Sequence, residues 1–479
     1  MRGKSGWKPW AVACCWLLLA MPLAAQQPTR AESTAKNRTS LSITVYNSNF
    51  ALVRESRRVA LPAGIVRLNF EDVPRTIEAS TVQLAPAPGL DVLDQSYEYD
   101  LLNPEHLLER YVGKTVTLVF RERANGSTIY RRVQALLLST NGPVWKIGNE
   151  IVSDIHPDGY RFPALPGQLY SHPTLIWTLR NARAGERQLN VSYLAGGLNW
   201  NADYVLDLNR EGSEGSLEGW VTVENNSGTS FDNAALSLVA GQVHRVSQPG
   251  PRPLVMMARP GVIGGVAQQF SQEPIGEYHL YRLNRRISLR NSESKQISLL
   301  SAARVPVEKS YIVEGNAGVF RVRQPEGAPT PEAVRLFLTF HNNAAAGLGR
   351  PLPAGIVRVY QPDSQGTPLF LGEDRIQHTP KDERVRLDVG NAFDITARRV
   401  QTDFQRIGKG VYESAFAVML RNHKDEPVTV QVREPIGGSW VVLQSSVPAK
   451  KINAFTLEFD VPVPANGEAK LTYRVRVTD

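Results

Sequence analysis

The densest run of chemically capable side chains is Gly372-Glu373-Asp374-Arg375-Ile376-Gln377-His378-Thr379-Pro380-Lys381-Asp382-Glu383. Carboxylates beside a histidine can trade protons or hold a cation, so Asp374, His378 and Glu383 are candidate binding positions. The competing reading, which the flanking residues favour, is a polar turn between strands. Ile376 and the run from Val385 both have strand character. A second stretch, Gly196-Gly197-Leu198-Asn199-Trp200-Asn201-Ala202-Asp203-Tyr204, sets two aromatics among amides. Trp200 and Tyr204 could stack on a sugar, although a tryptophan entering a strand is more often a core anchor.

The rest of the chain carries few chemical motifs. Gly113-Lys114-Thr115 resembles the end of a phosphate-binding loop, but Leu108 stands where the earlier glycine belongs and a strand follows. There is no G-x-S-x-G, H-E-x-x-H or G-x-G-x-x-G motif. The eight histidines never form a close pair. No cofactor, metal site or catalytic residue is expected.

Both cysteines, Cys14 and Cys15, fall in a segment built like a secretory signal. Arg2, Lys4 and Lys8 precede an apolar run from Trp10 to Ala20, and Met21 to Ala25 ends in small residues. That run is short for a membrane span, so cleavage after Ala25 is expected. The segment fits a lipidation signal poorly, because the apolar run continues past both cysteines. The mature chain would then have no thiol and no disulfide. It would also have no transmembrane segment and would be exported, to the periplasm, the cell surface or the extracellular space.

The 479 residues suggest about three domains. Hydrophobic residues at 42% and charged residues at 21% mark a globular chain. The net charge of +8 is spread over scattered pairs, among them Arg57-Arg58 and Arg398-Arg399. A nucleic-acid protein would concentrate that charge in one stripe, so no nucleic-acid partner is expected. The pairs read as solvated strand faces.

Beyond the leader the hydrophobic period is two. Leu41, Ile43 and Val45 alternate with polar residues, as do Val116, Leu118 and Phe120, and the series Phe455, Leu457, Phe459, Val461 and Val463. Many short strands separated by Gly, Pro and Asn predict an all-β chain of antiparallel sandwiches. The one good helix is Asn103 to Tyr111, opened by Asn103 and Pro104 and closed by Gly113. The octapeptide Leu61-Pro62-Ala63-Gly64-Ile65-Val66-Arg67-Leu68 returns as Leu352-Pro353-Ala354-Gly355-Ile356-Val357-Arg358-Val359. Its Pro-Ala-Gly predicts a type II turn, with Gly64 and Gly355 at positive φ. Strands also close repeatedly on asparagine, at Asn225, Asn342 and Asn422, as happens in immunoglobulin-like sandwiches.

These runs divide the chain into a signal peptide (1–25), a flexible leader (26–40) and an N-terminal β unit (41–100). A small inserted barrel-like unit with the short helix follows (101–165), then a sandwich continuation (166–248) and a flexible loop (249–275). Strands and a connection (276–330) lead to a C-terminal immunoglobulin-like sandwich (331–479).

Particular sequences resemble the exported bacterial proteins carrying domain of unknown function 4139, related to mucoidy inhibitor A. They are Val45-Tyr46-Asn47 with Ala51-Leu52-Val53-Arg54-Glu55, Gly197 to Tyr204, Gly219-Trp220-Val221-Thr222, Pro351 to Gly355, Gly372-Glu373-Asp374 with His378-Thr379-Pro380, and Gly390 to Asp394. Asn199 departs from the serine usual there. The resemblance implies export, β architecture and a link to envelope polysaccharide phenotypes, and supplies no catalytic residues. The leading expectation is a non-enzymatic protein that binds envelope polysaccharide or envelope protein, in an oligomeric state the sequence leaves open. The alternative is a hydrolase of envelope glycans or peptides, with carboxylates assembled between domains roughly 5 to 10 Å apart.

Overall fold

The computed structural model describes residues 28–98, 104–124, 127–164, 173–241, 243–245, 269–325 and 329–479. The expected signal segment, Asn103 and most of the expected 249–275 loop lie outside the described residues. Nearly every regular element is a strand, as the period-two sequence requires. The chain forms two compact units, one of 1–37, 58–71 and 86–188, the other of 38–57, 72–85 and 189–479. Residues 41–100 are thus shared between them, because strand partners far apart in sequence leave no mark on local hydrophobic pattern.

The smaller unit holds a four-stranded sheet in the order Thr29–Ser33, Gly64–Phe70, Thr174–Asn181, Leu90–Glu98. The expected flexible leader is therefore partly strand: Thr29–Ser33 pairs parallel with Gly64–Phe70. Its sequence has no alternation because one edge of backbone, rather than an apolar face, recruits it. The inserted unit is an open five-stranded sheet running from Glu150–Ser153 to Gly159–Arg161, and those edge strands do not pair to close a barrel. It packs Val116, Leu118, Leu137 and Trp145 with Tyr111 beneath the helix Pro104–Arg110. Gly113 ends that helix at φ 78°, a left-handed conformation glycine adopts without penalty, and its N–H donates to the Leu137 carbonyl.

The larger unit contains two sandwiches. In the first, a seven-stranded sheet built around Arg38–Tyr46, Phe50–Leu61 and Phe231–Ala240 faces a five-stranded sheet. The latter has the order Glu293–Pro306, Glu214–Asn225, Leu198–Leu208, Gly355–Pro362, Pro368–Ile376. Phe270–Ile275, inside the expected flexible loop, is a strand at the edge of the seven-stranded sheet, paired with Tyr278–Leu289. The second sandwich joins a six-stranded sheet, Arg384–Asn391 to Ala449–Asn453, with a five-stranded sheet, Thr330–Glu332 to Ser439–Ser445. Val430, Val432, Leu457, Phe459 and Val461 from one sheet meet Phe416, Val418, Leu471 and Val475 from the other. Phe455 falls before its strand and is exposed, so the terminal alternation begins at Leu457.

The expected boundary at 331 does not hold. Glu308–Glu314 pairs parallel with Val428–Pro435 in the second sandwich, whereas Gly355–Pro362 pairs parallel with Leu198–Leu208 in the first. Most pairings are antiparallel, as expected, and these parallel pairs stitch distant segments into the same sheets.

The repeated turn uses its glycine in two ways. Gly64 has φ 95°, the positive φ expected of it, and open space around it. Gly355 does not have positive φ, which corrects the expectation. A Cβ there would collide with the Ala202 carbonyl oxygen and stand 3.0 Å from the Tyr204 ring. Its glycine is required by the close approach of a parallel neighbour strand.

Candidate functional site

The strand-ending asparagines are the most consistent polar feature. Each is buried, and each side chain takes the place of a backbone ladder where the chain turns. Asn225 Nδ2 donates to the carbonyls of Thr229, Leu289 and Arg290, while its Oδ1 accepts from Ser227 N. Asn342 donates to Arg350 and Pro380 and accepts from Gly349 N. Asn422 donates to Glu426 and Pro464 and accepts from Lys424 N. Asn181 repeats the device, donating to Leu61, Pro62 and Arg183 and accepting from Arg187. It escaped the sequence reading, although it closes a strand in the same way.

Two sealed ionic clusters lie deeper. Glu55 and Arg57, both on Phe50–Leu61, join at 3.0 Å, and Arg38 reaches the same Glu55 oxygen at 2.7 Å. The Tyr193 hydroxyl donates to Glu55 Oε1 at 2.9 Å. Burial alone would raise the Glu55 pKa, but the Arg57 and Arg38 guanidiniums outweigh it and hold the carboxyl below its ordinary value. In the second sandwich Arg399 binds Glu332 at 2.6 Å, Glu434, and the Tyr473 hydroxyl at 2.9 Å. Burial disfavours the Arg399 charge, and Glu434, Tyr473 and Glu332 together more than restore it.

These clusters correct the reading of the basic pairs as solvated faces. In Arg57-Arg58 and Arg398-Arg399 one arginine is buried in a network and its neighbour is exposed. Alternation sends successive side chains to opposite faces, so a pair adjacent in sequence divides between core and water.

The sequence-selected residues separate. Trp200 is 1% exposed, its Nε1 donates to the Val239 carbonyl at 3.2 Å, and its ring lies 6.4 Å from that of Tyr281. Tyr204 is fully buried and donates to the Pro353 carbonyl at 2.8 Å. Neither offers a ring face to a sugar, which corrects their candidacy as binding residues. Both point inward because Leu198–Leu208 buries every second residue from Leu198 to Leu208.

Asp374 is tied to backbone: its oxygens accept from Arg375 N at 2.7 Å and from Asp388 N at 2.8 Å. The second bond fastens Pro368–Ile376 to Arg384–Asn391. Glu373 pairs with Arg358 at 3.2 Å, and Arg358 also meets Asp203 at 3.1 Å. His378 Nδ1 accepts from Ala354 N at 3.1 Å, latching the second Leu-Pro-Ala-Gly turn. Desolvation first, and then nearby His279, push its pKa down, which keeps the ring in the neutral form that bond requires. The Glu383 side chain is exposed, while its carbonyl accepts from Asn342 N. No hydrogen bond or ion pair joins any two of Asp374, His378 and Glu383 among the described residues. Nor do the described residues contain a group of three or more His, Cys, Asp or Glu placed to hold a metal. No described helix is long and apolar enough to cross a membrane.

A family model described as "Domain of unknown function (DUF4139)" matches residues 189–478. The match spans the strands that build most of both sandwiches in the larger unit. A search of the curated proteins gave no match. The chain belongs to the DUF4139 family.

Proposed function

We propose that the chain, as a member of this family, is an exported bacterial protein that binds or scaffolds components of the cell envelope without catalysing a reaction. The observation that carries this reading is the employment of the polar candidates. Asp374 spends its carboxylate on two backbone N–H groups, and His378 spends its Nδ1 lone pair on a third. A general base needs that lone pair free for a substrate proton. The sealed Glu55 and Arg399 clusters likewise face away from solvent and serve the sandwiches. Export rests on the leader, with cleavage after Ala25 giving a thiol-free mature chain.

Complementation tests the reading. A deletion strain with an envelope phenotype receives Asp374→Ala, His378→Ala or Glu383→Ala at matched protein levels. Each variant is expected to restore function substantially, because loss of a true acid–base group typically costs roughly 10²–10⁴-fold in rate. A stable, exported variant as defective as the deletion, with an envelope glycan or peptide left unprocessed, would transfer the weight to the hydrolase alternative.

A further inference from the structure

The outer face of the last five-stranded sheet carries a cleft of about 660 Å³, crossing Ile395–Gly408, Val411–Asn422 and Glu468–Thr478. Pairing fixes its floor. Arg398 stands opposite Met419, and Met419 stands opposite Lys470, so a thioether lies between two cations in one cross-strand row. Two strand spacings separate the cations, roughly 10 Å between backbones. The next row sets Thr396 opposite Arg421 and Arg421 opposite Glu468. Arg421 and Glu468 form an exposed pair at 3.4 Å. Neither Arg398 nor Lys470 has an ion-pair partner among the described residues. The cleft thus holds three basic side chains, Arg398, Arg421 and Lys470, against one carboxylate, Glu468.

A backbone hydrogen bond ties one lining residue to the segment that carries an exposed aromatic. His423 lines the cleft, and its backbone N–H donates to the Asp394 carbonyl at 2.8 Å. The residue before Asp394 is Phe393, which is 93% exposed. Single exposed apolar residues need no explanation, but this one is on a loop fastened beside a basic cleft of ligand size.

We propose that this cleft binds a ligand with two acidic groups joined by a less polar middle. One acid meets Arg398, the other meets Lys470, and the middle lies over Met419. Arginine supplies a planar fork for a carboxylate or phosphate, and lysine supplies a point charge. This assignment rests on the binding reading above and names the chemistry of its ligand.

The test uses the purified full mature chain and linear dicarboxylates as probes, with affinity measured by calorimetric titration at low salt. The backbones of Arg398 and Lys470 stand about 10 Å apart, close to the span of extended suberate and about twice that of succinate. Affinity is expected to rise from succinate to suberate and to fall as salt is raised. Arg398→Gln and Lys470→Gln should each weaken suberate binding about tenfold and erase the length preference. Glu468→Gln should tighten it, a gain that misfolding cannot mimic. Equal binding across the series, no binding at all, or affinity unchanged in Arg398→Gln overturns the assignment. In those cases the Asp374, His378 and Glu383 complementation still judges the broader binding reading by itself.

Discussion

The Tyr193 hydroxyl donates to Glu55 Oε1 at 2.9 Å, inside a layer where Glu55 also receives Arg38 and Arg57. The second sandwich sets Tyr473 against Arg399 and Glu434 in a comparable sealed group. Such clusters stabilise only while complete, because removing one partner strands a charge in a low-dielectric interior. Glu55→Gln is therefore expected to cost about 3 kcal/mol or more. Tyr193→Phe, which removes one donor, should cost about 1–3 kcal/mol. Denaturant midpoints measure both, and midpoints at the wild-type value would show that the cluster opens to water.

The same carboxylate sets a pH dependence. Its pKa is lower in the folded chain than its ordinary value of 4.5, so the unfolded chain takes the proton more readily. The contribution of Glu55 is full above that value and is lost as pH falls through the lower folded pKa. Wild type should lose more stability than Glu55→Gln on acidification from about pH 5 downward. Parallel thermal melts over that range measure the difference. Equal acid sensitivity would contradict it.

The strand-ending asparagines predict a shared sensitivity. Asn225→Ala removes the donor to three carbonyls, and Asn422→Ala the donor to two. Each should cost about 3 kcal/mol or more, given ~1–3 kcal/mol for each buried group left unpaired. Replacement by aspartate should rescue neither, since it keeps the acceptor and loses the N–H₂ donor. Rescue by aspartate would mean that the acceptor side does the work.

The paired glycines should respond differently. Gly64→Ala meets only a conformational cost of about 1 kcal/mol. Gly355→Ala drives a methyl into the Ala202 carbonyl and the Tyr204 ring and should cost about 3 kcal/mol. Equal effects on the unfolding midpoint would show that the second turn relaxes away from its neighbour strand.

How much of this was legible depends on range. Period two placed Leu41, Ile43, Val45, Val116 and Leu118 in cores because strand alternation is a local rule. The same rule hid the fate of Arg399, since a buried arginine on a strand reads like an exposed one until its partners Glu332 and Glu434 are known. Gly64 was readable from its turn alone. Gly355 was not, because its constraint comes from Ala202, a residue more than 150 positions earlier on a parallel neighbour. Trp200 and Asp374 illustrate the site-level limit. Sequence shows that a side chain can do chemistry, but only the packing shows that one is core and the other is fastened to a neighbouring strand.

The leader makes a separate prediction. Intact mass of the exported protein should correspond to a chain beginning near residue 26 with no thiol. Retention of residues 1–25, or a lipid adduct on Cys14, would contradict the proposed processing.

Binding without turnover is the central claim, and one measurement addresses it most directly. Purified mature protein is immobilised and incubated with envelope extract. Retained and unretained glycans and peptides are then compared by mass with an extract incubated without protein. The account predicts a component enriched on the protein at unchanged mass, with no new fragments in the flow-through. New, shorter fragments that accumulate with time would contradict it.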